Sequence, residues 1–201
     1  MNIIGGVFMI FTFGDTFNKA GSGGEYNNLT TVPSITGDKL PTVTGCGYLI
    51  LRRLFGNTND RLSIYIDGNT QEFPIGTKLN DYGLQGGFYK FYFQKSIRIV
   101  DGISSDTYFY QTLLADSPID KYNITMGVLS NADYITITGK GKIVFSPARG
   151  KPQMFFSIDG LSESRLNFDG DQYMEFVFDK SFKFNNINYI NPLYYIVYLE
   201  K

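Results

Sequence analysis

The sequence predicts an all-β protein built of two tandem, duplicated small antiparallel β-sandwich or barrel-like modules behind an extended N-terminal arm. Three observations carry that reading. Short apolar runs separated by turn residues fill the chain; aromatic residues make up 16% of it, with 18 Phe and 15 Tyr; and a set of short sequence tokens occurs twice in the same order. Runs of about four to eight residues rich in Ile, Val, Tyr and Phe, bounded by Gly, Asn, Asp and Pro, are the signature of strands.

Taken in order, the first stretch is "MNIIGGVFMIFTF". It is apolar, but no Lys or Arg precedes it and no small-residue cleavage site follows it, so it reads as structure and not as a signal peptide. It is also shorter than the roughly 20 residues a helix needs to cross a bilayer, and no membrane partner is expected. "GSGGEY" at Gly21 leads toward Pro33 and not into a helix, which makes it a flexible linker and not a phosphate-binding loop. Residues 1–43 are thus expected to be an arm and Gly-rich linker, 44–137 a first β-module with a connecting segment, and 138–201 a second β-module. The first module offers "YLILRRLF", "RLSIYID", "FYKFYF", "SIRIV" and "TYFYQTLL"; "YITITG" straddles the boundary; and the second offers "KIVFS", "MFFSID", "YMEFVF" and "YYIVYLE". The best helical candidate, "YFYQTLLADSPID", opens on β-formers and contains Pro118.

The duplication rests on three matched tokens. "TGCGYLIL" at Thr44 pairs with "TGKGKIVF" at Thr138, "LSIYIDG" at Leu62 with "FFSIDG" at Phe155, and "FYFQKSIRI" at Phe91 with "FVFDKSFKF" at Phe176. Order and spacing are kept, as expected for a repeated unit of roughly 65 to 70 residues. Asp67-Gly68 and Asp159-Gly160 follow apolar strands, and Asp-Gly suits the positive backbone angles of a tight hairpin. The Lys-Ser token conflicts with a regular strand, because Phe91, Phe93, Lys95, Ile97 and Ile99 would share one face. A bulge or sharp break over 94–96 and 179–181 resolves it by releasing Lys95 and Lys180 to solvent.

Composition excludes several functions. Lys plus Arg is 18 and Asp plus Glu 19, leaving no basic excess to hold a phosphate backbone, so nucleic acid is not an expected partner. His is absent, which removes the commonest general base and metal ligand, and the single Cys46 excludes a disulfide and a cysteine zinc site; Cys46 is expected to be a buried small hydrophobe. Asp169, Asp171 and Glu175 form the nearest carboxylate cluster, yet "FDGDQYMEF" lacks a full calcium-loop pattern and reads as a turn entering a strand. No catalytic set, metal or cofactor is expected.

The segment "EYNNLTTVPSITG", Glu25 to Gly37, resembles a short element of bacteriophage fibre and other virion-surface proteins: acidic, Tyr, Asn, any, Leu, three more, Pro, Ser-Ile, any, Gly. Thr31 and Val32 stand where those proteins usually carry Asn-Lys. The resemblance implies a non-enzymatic virion component, a head fibre, decoration or tail-associated protein located in the particle. Its partners would be other virion proteins and further copies of itself, with Tyr26, Leu29, Pro33 and Ile35 as assembly contacts. The other reading is a carbohydrate- or receptor-binding module with a host surface glycan as partner, for which Tyr82, Tyr89, Tyr108 and Tyr110 would need to face solvent together.

Overall fold

The structure, a computed structural model, describes residues 29–55, 61–74, 87–101, 106–114, 122–146, 151–168, 173–187 and 191–201. The first unit runs β1 (Leu29–Thr36), a 3-10 turn (Gly37–Lys39), β2 (Thr42–Thr44), β3 (Gly47–Phe55), β4 (Arg61–Ile66), β5 (Asn69–Pro74), β6 (Tyr89–Phe93), β7 (Ser96–Asp101) and β8 (Thr107–Leu114). The second runs β9 (Tyr122–Leu129), β10 (Ile135–Thr138), β11 (Gly141–Ser146), β12 (Gln153–Ile158), β13 (Ser164–Asn167), β14 (Met174–Phe178), β15 (Ser181–Phe184) and β16 (Leu193–Glu200). The sheets are β1-β8-β3-β6 and β2-β7-β4-β5, then β9-β16-β11-β14 and β10-β15-β12-β13. Adding eight to every strand of the first unit reproduces the second. All the described pairings are antiparallel, and two four-stranded sheets wound in this order make a jelly-roll barrel. The predicted all-β, duplicated fold is the fold observed.

The pairing extends each unit further back than the tokens do. β1 bonds along β8, from Leu29 opposite Leu113 to Thr36 opposite Thr107, and β2 bonds to β7. Residues 29–43 are therefore part of the first barrel and not of an arm; likewise 122–137 supply β9 and β10 of the second. These opening strands diverged in sequence because both lie at sheet edges in each unit, where fewer neighbours constrain the side chains. The arm expected over 1–28 lies outside the described residues. So does the tail of the helical candidate, whose start is strand β8.

The three tokens meet at one corner of each barrel. Asp67 and Gly68 have φ of 51° and 88° and join β4 to β5 as a two-residue hairpin, with Ile66 opposite Asn69. Asp159 and Gly160, at 53° and 78°, open a longer connection before β13. The Asp67 carboxylate accepts the backbone N–H groups of Gln94, Lys95 and Ser96 at 2.6–3.1 Å. Asp159 accepts those of Asp179, Lys180 and Ser181 at 2.7–3.1 Å. The third token joins in through Gly45 N–H to Lys95 O and Gly139 N–H to Lys180 O, both glycines at φ 124°, open to glycine alone.

The expected break at Lys-Ser is a change of sheet. β6 lies in one sheet and β7 in the other, so Phe91, Phe93, Ile97 and Ile99 all reach the core while Lys95 is exposed. Lys180 is exposed in the same way between β14 and β15.

Each barrel has its own core. Leu49, Leu51, Leu62, Ile64, Phe91, Phe93, Ile97 and Ile99 fill the first. The second is phenylalanine-rich: Phe145 packs against Phe184, Phe168, Phe176, Phe182 and Tyr195 at centroid distances of 5.2–6.4 Å. A third cluster joins the barrels through the outer faces of sheets β1-β8-β3-β6 and β9-β16-β11-β14, with Ile50, Phe88, Phe109 and Leu113 against Val144, Ile196 and Tyr198. Arg52 crosses this interface to the Ser146 hydroxyl at 2.7 Å and stacks 3.4 Å above the Tyr194 ring; burial pushes its pKa down to about 10.

Candidate functional site

The strand pairing equates positions of the two barrels residue by residue. Gly47 lies opposite Leu114 and Gly141 opposite Leu199, and Thr44–Ser96 corresponds to Thr138–Ser181. Tyr108 is thus equivalent to Leu193, Asp106 to Asn191, Asp101 to Asn186 and Tyr89 to Met174.

The polar residues of the first barrel gather at the end opposite the token corner, because β3 and β7 finish there while β6 and β8 begin there. Arg53, on the same side of β3 as Leu49 and Leu51, pairs with Asp106, and the two side chains are 10% and 1% exposed. Asp106 is held further by its carbonyl, which accepts the Gly37 N–H at 2.8 Å. Beside this pair the Tyr108 hydroxyl donates to Asp101 at 2.6 Å, with Tyr108 fully buried and Asp101 nearly so. Burial first, then the Asp101 carboxylate, drives the Tyr108 phenol far above its ordinary pKa. Burial also raises Tyr89 and Tyr110, and the Arg53 charge opposes the rise at Tyr89. The result is a guanidinium, two carboxylates and three phenols around one barrel end, within an apolar cylinder.

At the equivalent described positions of the second barrel the charges are gone. Asn186 and Asn191 replace Asp101 and Asp106, Leu193 and Met174 replace Tyr108 and Tyr89, and Pro147, equivalent to Arg53, lies outside the described residues.

The residues singled out from sequence fall elsewhere. Leu29 packs on the cluster between the barrels and Ile35 on the first barrel's core, while Pro33 lies within the irregularity of β1 between Val32 and Ile35. Tyr26 is outside the described residues, as are Asp169, Asp171 and Tyr82. Glu175 lies between the barrels, paired with Lys142 at 2.6 Å and accepting the Thr31 hydroxyl at 2.9 Å. Tyr89, Tyr108 and Tyr110 are buried, which removes the solvent-facing row that a sugar-stacking surface needs. Cys46 is half-buried beside the Tyr92 hydroxyl, not enclosed in the core as expected. Arg53, Asp101 and Asp106 were missed. Aligning the repeats residue by residue exposes Asp101 against Asn186 and Asp106 against Asn191, two losses of charge on an otherwise shared frame.

No protein-family model and no curated protein matches the sequence. Solved structures do match in fold. A conserved protein of unknown function from Pseudomonas aeruginosa PAO1 aligns with TM-score 0.56 and 10% identity over 90% of this chain and 85% of that one. AerE from Microcystis aeruginosa aligns with TM-score 0.51 and 15% identity over 86% of each chain. A cupin 2 conserved barrel domain protein from Leptotrichia buccalis aligns with TM-score 0.46 and 10% identity over 90% of this chain and 92% of that one.

The chain thus shares its overall fold with AerE and the Pseudomonas aeruginosa protein. This overturns the expectation of a phage head-fibre, decoration or tail protein in the virion, because the fold likeness runs to bacterial proteins. A fold of this kind decides neither for nor against catalysis, so absence of enzyme activity does not follow from it. A transition metal does not fit the polar end: the chain has no His, no three metal-binding side chains converge among the described residues, and Asp106 Oδ2 is already paired with the Arg53 guanidinium.

Proposed function

We propose that the protein binds a small polar molecule at the charged end of its first barrel, without catalysis, and that the second barrel is the packing half. One observation supports this above the others: the same frame exists twice, and among the described equivalent positions only the first copy carries charge. Enclosing ionised side chains costs several kcal/mol each, offset only by well-made partners. The second barrel forms the same sheets with Asn186, Asn191 and Leu193 in those places, so the architecture does not require Asp101, Asp106 and Tyr108. Residues that the frame can do without and that are costly to bury are candidates for recognition. A guanidinium, carboxylates and phenols together suit a ligand carrying both hydrogen-bond donors and acceptors.

The test is a thermal-shift panel of small organic acids, amines and polyols on the full chain, on Tyr108→Phe, and on Leu193→Met as the matched change in the other barrel. A ligand at a hundred times its Kd stabilises by about 2.7 kcal/mol. At least one compound class should raise the unfolding temperature of the wild type and of Leu193→Met while losing its effect on Tyr108→Phe. A panel without response, or an equal response in all three proteins, would overturn the reading.

A further inference from the structure

The second barrel keeps one atom of the first barrel's polar end without its partner. Asn186 is completely buried, and its Nδ2 donates to the carbonyls of Leu129 and Asn191, each at 3.0 Å. Its Oδ1 is also buried and has no hydrogen-bond partner among the described residues. Rotating the amide does not repair this, since Oδ1 would then face two carbonyl oxygens. The first barrel shows where the donor belongs. Asp101, at the equivalent position, accepts its bond from the Tyr108 hydroxyl, and the residue equivalent to Tyr108 is Leu193. The acceptor has been retained and the phenol that would serve it has not.

An enclosed carbonyl-type oxygen with no donor has lost its hydration without replacement, which destabilises the fold. Native proteins almost always satisfy such groups, with a bound small molecule where no side chain reaches. The described groups that touch its amide are neutral, the carbonyls of Leu129 and Asn191, and Leu193 stands at the position equivalent to Tyr108. An ion would lose its hydration there without a counter-charge, whereas a neutral molecule would not. Leu129 and Leu193 belong to the barrel's apolar cluster, which suits a short alkyl group.

We propose that Asn186 Oδ1 anchors a second, small binding site in the second barrel, which takes one uncharged molecule presenting an O–H or N–H donor, from water up to a short-chain alcohol. It is independent of the site in the first barrel.

The experiment is a crystal structure of the full chain, grown from aqueous solution and again after soaking with isopropanol. A peak about 2.7–3.2 Å from Asn186 Oδ1 is expected in the first. In the second, either branched density with its carbons toward Leu193 or an unchanged water upholds the site, the former extending it to alcohols. An Oδ1 enclosed by carbon with no peak, or bonded to a backbone N–H of the chain itself, would overturn the proposal. Leu193→Tyr supplies a second measurement: the new phenol should take the bond to Oδ1 and the peak should vanish. If that variant does not fold, the wild-type crystals decide alone.

Discussion

The two barrels share their framework and differ in what they enclose. At one corner both use Asp-Gly, Thr-Gly and Lys-Ser, with the same carboxylate-to-backbone bonds to within about a tenth of an ångström. At the other end the first barrel encloses an ion pair and a phenol–carboxylate bond, and the second encloses asparagines and hydrocarbon. The corner must satisfy backbone N–H groups where the chain changes sheet, a demand set by the fold and therefore equal in both units. The far end has no such demand, so its residues are free to follow a use. Symmetry marks what the barrel needs, and departures from symmetry mark what one barrel does.

The largest expected effect sharpens the contrast in the cores. Phe145 and Leu51 are equivalent and both fully buried, but Phe145 stacks among five aromatic rings. Phe145→Ala should lower stability by about 3–5 kcal/mol and Leu51→Ala by about 2–4 kcal/mol. Urea unfolding at matched pH measures both. A larger loss at Leu51 would mean that the first barrel, not the second, is the packing half.

A smaller effect is expected at the polar end. Tyr108→Phe removes one hydrogen bond to a buried carboxylate and should cost about 1–3 kcal/mol in the same assay. A stabilised Tyr108→Phe would instead show that the phenol and Asp101 are held at a net cost, as binding groups often are.

Most of the framework was legible before any coordinates, and its limits have physical causes. Tokens are visible where identical side chains perform identical backbone work, as Asp67 and Asp159 do. β1 and β9 were missed because a strand held by ladder bonds and general apolar contact does not need a particular residue; Val32 and Gly127 occupy equivalent places. The polar end was hidden for another reason. Arg53, Asp101 and Asp106 lie far apart in sequence and look like ordinary strand-end charges until the pairing brings them together. Of the phage-like segment, Leu29, Val32 and Ile35 are strand positions that pack against this chain's own apolar clusters.

Acid should test the shared corner in both barrels alike. Backbone N–H groups, Ser96 foremost, hold the Asp67 carboxyl below its ordinary pKa. At Asp159 partial burial pushes upward, but the N–H bonds of Ser181, Lys180 and Asp179 outweigh it and the net shift is again down. A carboxyl with a depressed folded-state pKa stabilises the fold above its unfolded-state value of about 4, and the contribution is lost as pH falls through the folded-state value. Denaturation midpoints should therefore drop below about pH 4, and Asp67→Asn and Asp159→Asn should each flatten that drop. A flattening in one variant alone would break the equivalence of the two corners.

The smallest effect belongs to the residue that the sequence made most conspicuous. Lys95 and Lys180 stand in a repeated token, yet both side chains are exposed, and what the corner uses is their backbone: the N–H given to the aspartate and the carbonyl given to Gly45 or Gly139. Lys95→Ala and Lys180→Ala preserve both groups. Each should change stability by less than about 0.5 kcal/mol, the usual range for an exposed position. Proline at either site removes the N–H and should be strongly destabilising by comparison. If alanine proved as damaging as proline, the lysine would be repeated for its charge, and the corner would need a partner for that charge as well as a bend in the chain.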